Sequence, residues 1–259
     1  MELIKPIIKV GNSAGVLLPK KWLHGEAKVT LLVRPLNLEE DILNILRPYL
    51  SSVIGIALTG SYARKEETIR SDIDVLAITT NISKKIKKGK FDIILISREE
   101  TENLLRNNAI PILPILIEAK PILNSEIIDK YRKTSLTKNN LKWHFETTRS
   151  ALKVQKESIG LAELEDKTIS DNIVYSLILR LREAYIVDCL SKAKQYTTKS
   201  FLALLDKIQI SREIYDVYLR SKDKSSSKRT LSIIEAKRIY NFIKNLIERQ
   251  EKWVEKRKS

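Results

Sequence analysis

Gly60-Ser61 and Asp72-Ile73-Asp74 are separated by ten residues and flanked by two apolar runs. The first run, Val53-Ile54-Gly55-Ile56-Ala57-Leu58, leads into the Gly-Ser pair; the second, Val75-Leu76-Ala77-Ile78, follows Asp74. Residues i and i+2 of a strand point to the same face, so Asp72 and Asp74 are expected to project together. A glycine turn lets backbone N–H groups approach phosphate, and paired carboxylates hold hard divalent cations. Strand, turn, short polar helix and second strand thus describe a metal-dependent site for a nucleoside triphosphate.

The same residues carry a family resemblance. Gly-Ser, ten residues, then Asp-x-Asp resembles the signature of the minimal nucleotidyltransferases of the DNA polymerase β superfamily. Gly60, Ser61, Asp72 and Asp74 match it residue by residue, within Ser61-Tyr62-Ala63-Arg64 and Ser71-Asp72-Ile73-Asp74. The family commonly has glycine after the arginine, where this chain has Lys65. The resemblance spans roughly residues 38–123. It implies transfer of a nucleoside monophosphate, AMP by expectation, from ATP or another NTP to an acceptor hydroxyl. It implies two Mg²⁺ ions about 3.5–4 Å apart, held by Asp72, Asp74 and a third carboxylate on a later strand. Asp92, in Lys90-Phe91-Asp92-Ile93-Ile94, is the candidate and would also help activate the acceptor hydroxyl. Gly60 and Ser61 are expected at the β- and γ-phosphates. Arg64 is either a further phosphate contact or a solvated or ion-paired residue.

The elements around these residues predict an α+β chain in three parts. Residues 1–36 read as a hairpin unit, with strands at Ile7–Val10, Val16–Leu18 and Lys28–Val33 and a turn over Gly11–Gly15. The run from Lys9 to Leu23 resembles the AbrB/SpoVT swapped-hairpin fold, which implies a homodimer and raises DNA binding through this unit. So few residues cannot bury a core alone, and a second copy would supply one. Residues 37–124 are expected to form the nucleotidyltransferase domain, a mixed sheet with flanking helices. Leu38–Leu46 and Arg98–Arg106 read as helices, Ile115–Ala119 as a last strand, and the lysine run Lys84–Lys90 as a solvated loop. Residues 125–259 read as a helical bundle that binds substrate or partner. Asp171 is the expected cap of one helix there and Ser232 with Glu235 the capping box of the last, and Arg220–Arg229 reads as a polar loop. The bundle resembles the helical domains that accompany nucleotidyltransferases. Neither histidine follows an arginine at the spacing of the HEPN ribonuclease motif.

Composition narrows the classes. Lys and Arg number 47 against 32 Asp and Glu, a net charge of +15, which favours anionic partners. One cysteine, Cys189, excludes an internal disulfide and a cysteine-rich zinc site. His24 and His144 do not suggest a histidine metal site, and His144 reads as an ordinary helix residue. Absence of a long apolar run leads to the expectation of a cytoplasmic chain without a membrane partner. The acceptor stays open among protein, RNA and small molecule. The alternative is a DNA-binding regulator or antitoxin-like protein whose transferase domain only binds nucleotide.

Overall fold

The structure, a computed structural model, describes residues 3–30, 37–69, 71–222 and 231–256. The chain divides into two units, with the boundary between Leu38 and Glu39. In the first, strands β1 (Ile8–Val10) and β2 (Ser13–Gly15) form an antiparallel hairpin. Gly11 takes φ +57°, so a two-residue turn at Gly11-Asn12 suffices. β2 therefore lies within the residues expected as turn, and the strand expected at Val16–Leu18 is not formed. A 3₁₀ turn, Lys20–Trp22, follows. Residues 28–30 form no strand, and the rest of the strand expected at 28–33 lies outside the described residues. Ile8, Val10, Leu17, Leu18 and Leu23 are exposed.

The second unit opens with helix α1 (Leu38–Leu46), whose first turn carries Glu39, Glu40 and Asp41, the sign that a helix N-terminus favours. Then come β3 (Val53–Leu58), the short α2 (Gly60–Arg64), β4 (Ile73–Thr79), β5 (Lys84–Lys88), β6 (Phe91–Ser97) and α3 (Arg98–Asn107). α4 (Leu113–Glu118) and β7 (Lys120–Leu123) complete this half. The sheet order is β5-β6-β4-β3-β7; β4 and β6 run parallel and the other pairs antiparallel.

Two expectations are corrected here. Residues 113–118 are helix, because Pro114 suits a first helical turn and Leu113 and Leu116, three apart, are both buried. The last strand is β7, immediately after. The lysine run is a strand too: β5 pairs with β6 from Lys84↔Leu95 to Lys88↔Phe91. As an edge strand it tolerates lysine on both faces.

The remaining chain is helical: α5 (Ser125–Arg132), α6 (Lys138–Leu164), α7 (Asp171–Ser191), α8 (Thr198–Lys207), α9 (Glu213–Lys222) and α10 (Ile233–Lys256). The N-cap of α7 is Ser170, one residue before the expected Asp171. α10 starts as expected, with Ser232 Oγ accepting from the Glu235 N–H at 3.2 Å and the Glu235 carboxylate accepting from the Ser232 N–H at 3.0 Å. α9 extends to Lys222, and most of the polar loop expected at 220–229 lies outside the described residues. One apolar core runs from the sheet (Ala57, Leu76, Ile78, Ile96) through α4 into the bundle, where Phe201, Leu177 and Ile243 are fully buried. Burying a side chain of that size contributes about 2 kcal/mol. That continuity fixes the bundle against the sheet face that also bears the carboxylates.

Candidate active site

β3 is buried along most of its length and delivers Thr59 and Gly60 to one end of the sheet. The Thr59 N–H donates to the Asp74 carbonyl at 2.9 Å, which locks the turn to the start of β4. Gly60 has φ +65°, and a Cβ there would stand 2.1 Å from Asp74 Oδ2. Only glycine brings the turn and that carboxylate this close.

Asp74 is in register with Asp92 on the neighbouring parallel strand, and Asp92 with Lys87 on β5. Residues paired in register share a face, so Asp74, Asp92 and Lys87 form a row across the sheet. Asp92 Oδ2 accepts from Lys85 Nζ at 3.0 Å, while Asp92 Oδ1 is buried without a hydrogen-bond partner. Asp72, just before β4, is half exposed and lies 3.7 Å from Lys87 Nζ. Carboxylates in this row, one with an orphaned buried oxygen, are a donor set suited to a hard divalent cation. Among the described residues no three His, Cys, Asp or Glu side chains converge as they stand. The two lysines hold Asp72 and Asp92 in ion pairs instead.

Ser61 is half-buried on the first turn of α2. Arg64, at the end of α2, faces carboxylates rather than open space. Its Nη1 donates to Glu118 Oε2 at 2.6 Å and its Nε to Glu66 Oε2 at 2.9 Å. Burial alone would pull the guanidinium down, but Glu66 and Glu118 outweigh it and hold Arg64 above its ordinary range. Burial pushes the Glu66 carboxyl up, yet its hydrogen bonds to Arg64 and to the Thr198 N–H carry it below the usual carboxylate range. The Thr198 N–H lies 3.3 Å from Glu66 at the start of α8, so this strut reaches from the glycine turn into the bundle. Glu118 Oε1 also accepts from the Gly60 N–H at 2.8 Å. The Glu118 carboxylate thus bridges the turn and the arginine.

Glu118 and Glu66 escaped the sequence reading. The available signal for Glu118 was a lone carboxylate ending the apolar run Leu113–Ile117. Nothing in the sequence paired it with a residue 58 positions earlier. Lys85 and Lys87 were visible as charge but not as partners of Asp92 and Asp72.

No match is found among curated proteins. Two solved structures are similar at low identity. One is a nucleotidyltransferase-like protein from Exiguobacterium sibiricum, 14% identical over 85% of this chain and 78% of that one, with a TM-score of 0.41. Another is the spectinomycin adenyltransferase AAD(9) from Enterococcus faecialis, solved with ATP and spectinomycin. It is 14% identical over 81% of this chain and 97% of that one, also with a TM-score of 0.41. Residues 39–139, which hold the turn, all three aspartates and the Arg64–Glu118 ion pair, match the family described as nucleotidyltransferase domain.

Proposed function

We propose that the chain transfers AMP from ATP, with Mg²⁺, to an acceptor hydroxyl. The observation that carries this reading is the row of Asp74 and Asp92 beside the Gly60 turn, with Asp92 Oδ1 buried and unpartnered. Asp72, Asp74 and Asp92 would hold two Mg²⁺ ions, which when bound supply charge compensation for the attacking and leaving oxygens. Gly60 and Ser61 receive the β- and γ-phosphates. Arg64 fixes the turn through Glu118, and any contact it makes to phosphate comes after it leaves that carboxylate. The acceptor oxygen forms its bond to the α-phosphorus as the α–β bridging bond breaks. The electron pair leaves with pyrophosphate, and the hydroxyl proton passes to Asp92. The helical bundle, tied to the site by Glu66 and Thr198, forms the other wall of the acceptor cleft.

The test combines calorimetry with label transfer. Wild-type protein should take up a non-hydrolysable ATP analogue only with Mg²⁺, and should move label from ATP onto an acceptor in cell extract. Asp72→Asn with Asp74→Asn should cut transfer by roughly a thousandfold. Equal labelling by the double variant would reject the assignment.

For residues 1–36, exposed Ile8, Val10, Leu17 and Leu23 support pairing with a second copy. No observation on this hairpin favours DNA, so the regulator alternative is the weaker reading. Among the described residues, no helix is long and apolar enough to cross a membrane.

A further inference from the structure

We propose that Glu118 is a built-in competitor for the phosphate tail of the nucleotide: it yields the Gly60 N–H and Arg64 to the incoming triphosphate and retakes them as pyrophosphate leaves. This rests on the transfer reaction proposed above and gives a role to a carboxylate outside the aspartate row. Glu118 Oε1 accepts from the Gly60 N–H at 2.8 Å, and Oε2 accepts from Arg64 Nη1 at 2.6 Å. A turn N–H and a guanidinium are donors that suit phosphate oxygens. The Glu118 carboxylate engages them as a phosphate group would.

Holding the turn in place does not explain the charge. Arg64 already donates to Glu66 at 2.9 Å, and one carboxylate balances one guanidinium. Glu118 adds a second carboxylate, so the three side chains together are net negative where a polyanion must bind. A neutral acceptor such as glutamine would pin the Gly60 N–H without opposing the substrate. Glu118 is also the last residue of α4, at the end where a helix dipole disfavours negative charge. Its two donors, not its own helix, hold it there.

These donors cannot serve both anions fully. The Gly60 N–H carries a single hydrogen, so a phosphate oxygen takes it only as Glu118 Oε1 leaves. The departure needs no backbone movement, because the side chain is 13% exposed and turns about its own torsions. Arg64 keeps Glu66, and Glu66 keeps the Thr198 N–H at 3.3 Å, so the turn stays tied to the bundle during the exchange. A latch closed about nine-tenths of the time weakens apparent phosphate affinity about tenfold. Pyrophosphate bears this penalty without the nucleoside contacts that offset it for ATP. Return of Glu118 therefore favours release of the leaving group once transfer is complete.

The experiment uses the full chain with Mg²⁺ and inorganic pyrophosphate as the probe, read by calorimetry. Glu118→Gln keeps the size of the side chain and removes its charge. The variant should bind pyrophosphate about tenfold more tightly than wild type. A carboxylate that only braces the turn gives the opposite sign, since its loss would loosen Gly60 and weaken binding. Equal or weaker binding by a folded variant overturns the competitor role. A second measurement is independent of the variant. The chain has seven glycines, so wild-type protein labelled with ¹⁵N-glycine gives a sparse amide spectrum. The Gly60 signal should shift as pyrophosphate saturates, because its N–H exchanges a carboxylate partner for a phosphate one. A Gly60 signal that stays in place at saturation also overturns the role. If a non-hydrolysable ATP analogue is still taken up with Mg²⁺, the transfer reaction stands without it. No uptake of either ligand removes both.

Discussion

A Cβ atom at position 60 would lie 2.1 Å from Asp74 Oδ2 on a backbone already at φ +65°. Gly60→Ala therefore faces left-handed strain of about 1–2 kcal/mol and a clash that must push Asp74 out of the row it shares with Asp92. The variant should melt lower than wild type and lose transfer by roughly a hundredfold. Thermal melts and label transfer together check this, and unchanged transfer would show that the row is not the reacting centre. Lys65 stands at the same kind of backbone, φ +58°, at the end of α2. That explains why glycine is common there in the resembling motif: the chain must turn left-handed to bring Glu66 back toward Arg64. Residue type and spacing were enough to single out Gly60, Asp72 and Asp74. They could not single out Glu118, because its two donors reach it only after β3, α2 and α4 have packed.

Elements were legible where periodicity was long and illegible where it was short. α7 and α10 carry enough turns for their buried apolar stripes to be read from spacing. Residues 113–118 do not, since a six-residue apolar run suits either strand or helix. β5 was hidden for the opposite reason: its single apolar residue, Ile86, gives no alternation, and its hydrogen bonds to β6 decide the conformation. Between the long helices, His144 on α6 lies 3.4 Å from Gln250 on α10, whose amide donates to the Ala184 carbonyl on α7 at 2.7 Å. Burial, with nearby Arg180 adding to it, lowers the His144 pKa to about 4, against a partial rise from Gln250. In the unfolded chain the ordinary value is about 6.5, so the unfolded state binds the proton more readily between these two pH values. The neutral histidine's contribution is therefore complete above pH 6.5 and is lost as pH falls toward 4, on the order of 3 kcal/mol. Urea unfolding across that window should show the loss, and His144→Gln should flatten it. An unchanged slope in the variant would assign the acid sensitivity to other groups.

For the whole molecule, charge and unpartnered apolar surface say more than any single contact. The +15 excess of Lys and Arg favours anionic partners, in keeping with the cationic β5 edge. The first unit exposes Val10 at 52% and Leu23 at 64%, apolar area that so short a chain cannot cover by itself. We expect it to be covered by a second copy. Light scattering should give a dimer mass at micromolar concentration, and Ile8→Glu with Val10→Glu should give a monomer. A monomeric wild type would remove the pairing.

The order of residues along the chain was sufficient to name a glycine turn, two carboxylates and the strands that flank them, because strand periodicity and glycine's conformational freedom act over a few residues. Which groups meet across the sheet was decided only by the tertiary structure. The lateral row of Asp74, Asp92 and Lys87, the Glu118 bridge and the Glu66 tie to α8 depend on strand register and helix packing. Those are set by burial summed over the whole core, a quantity no local stretch of sequence contains.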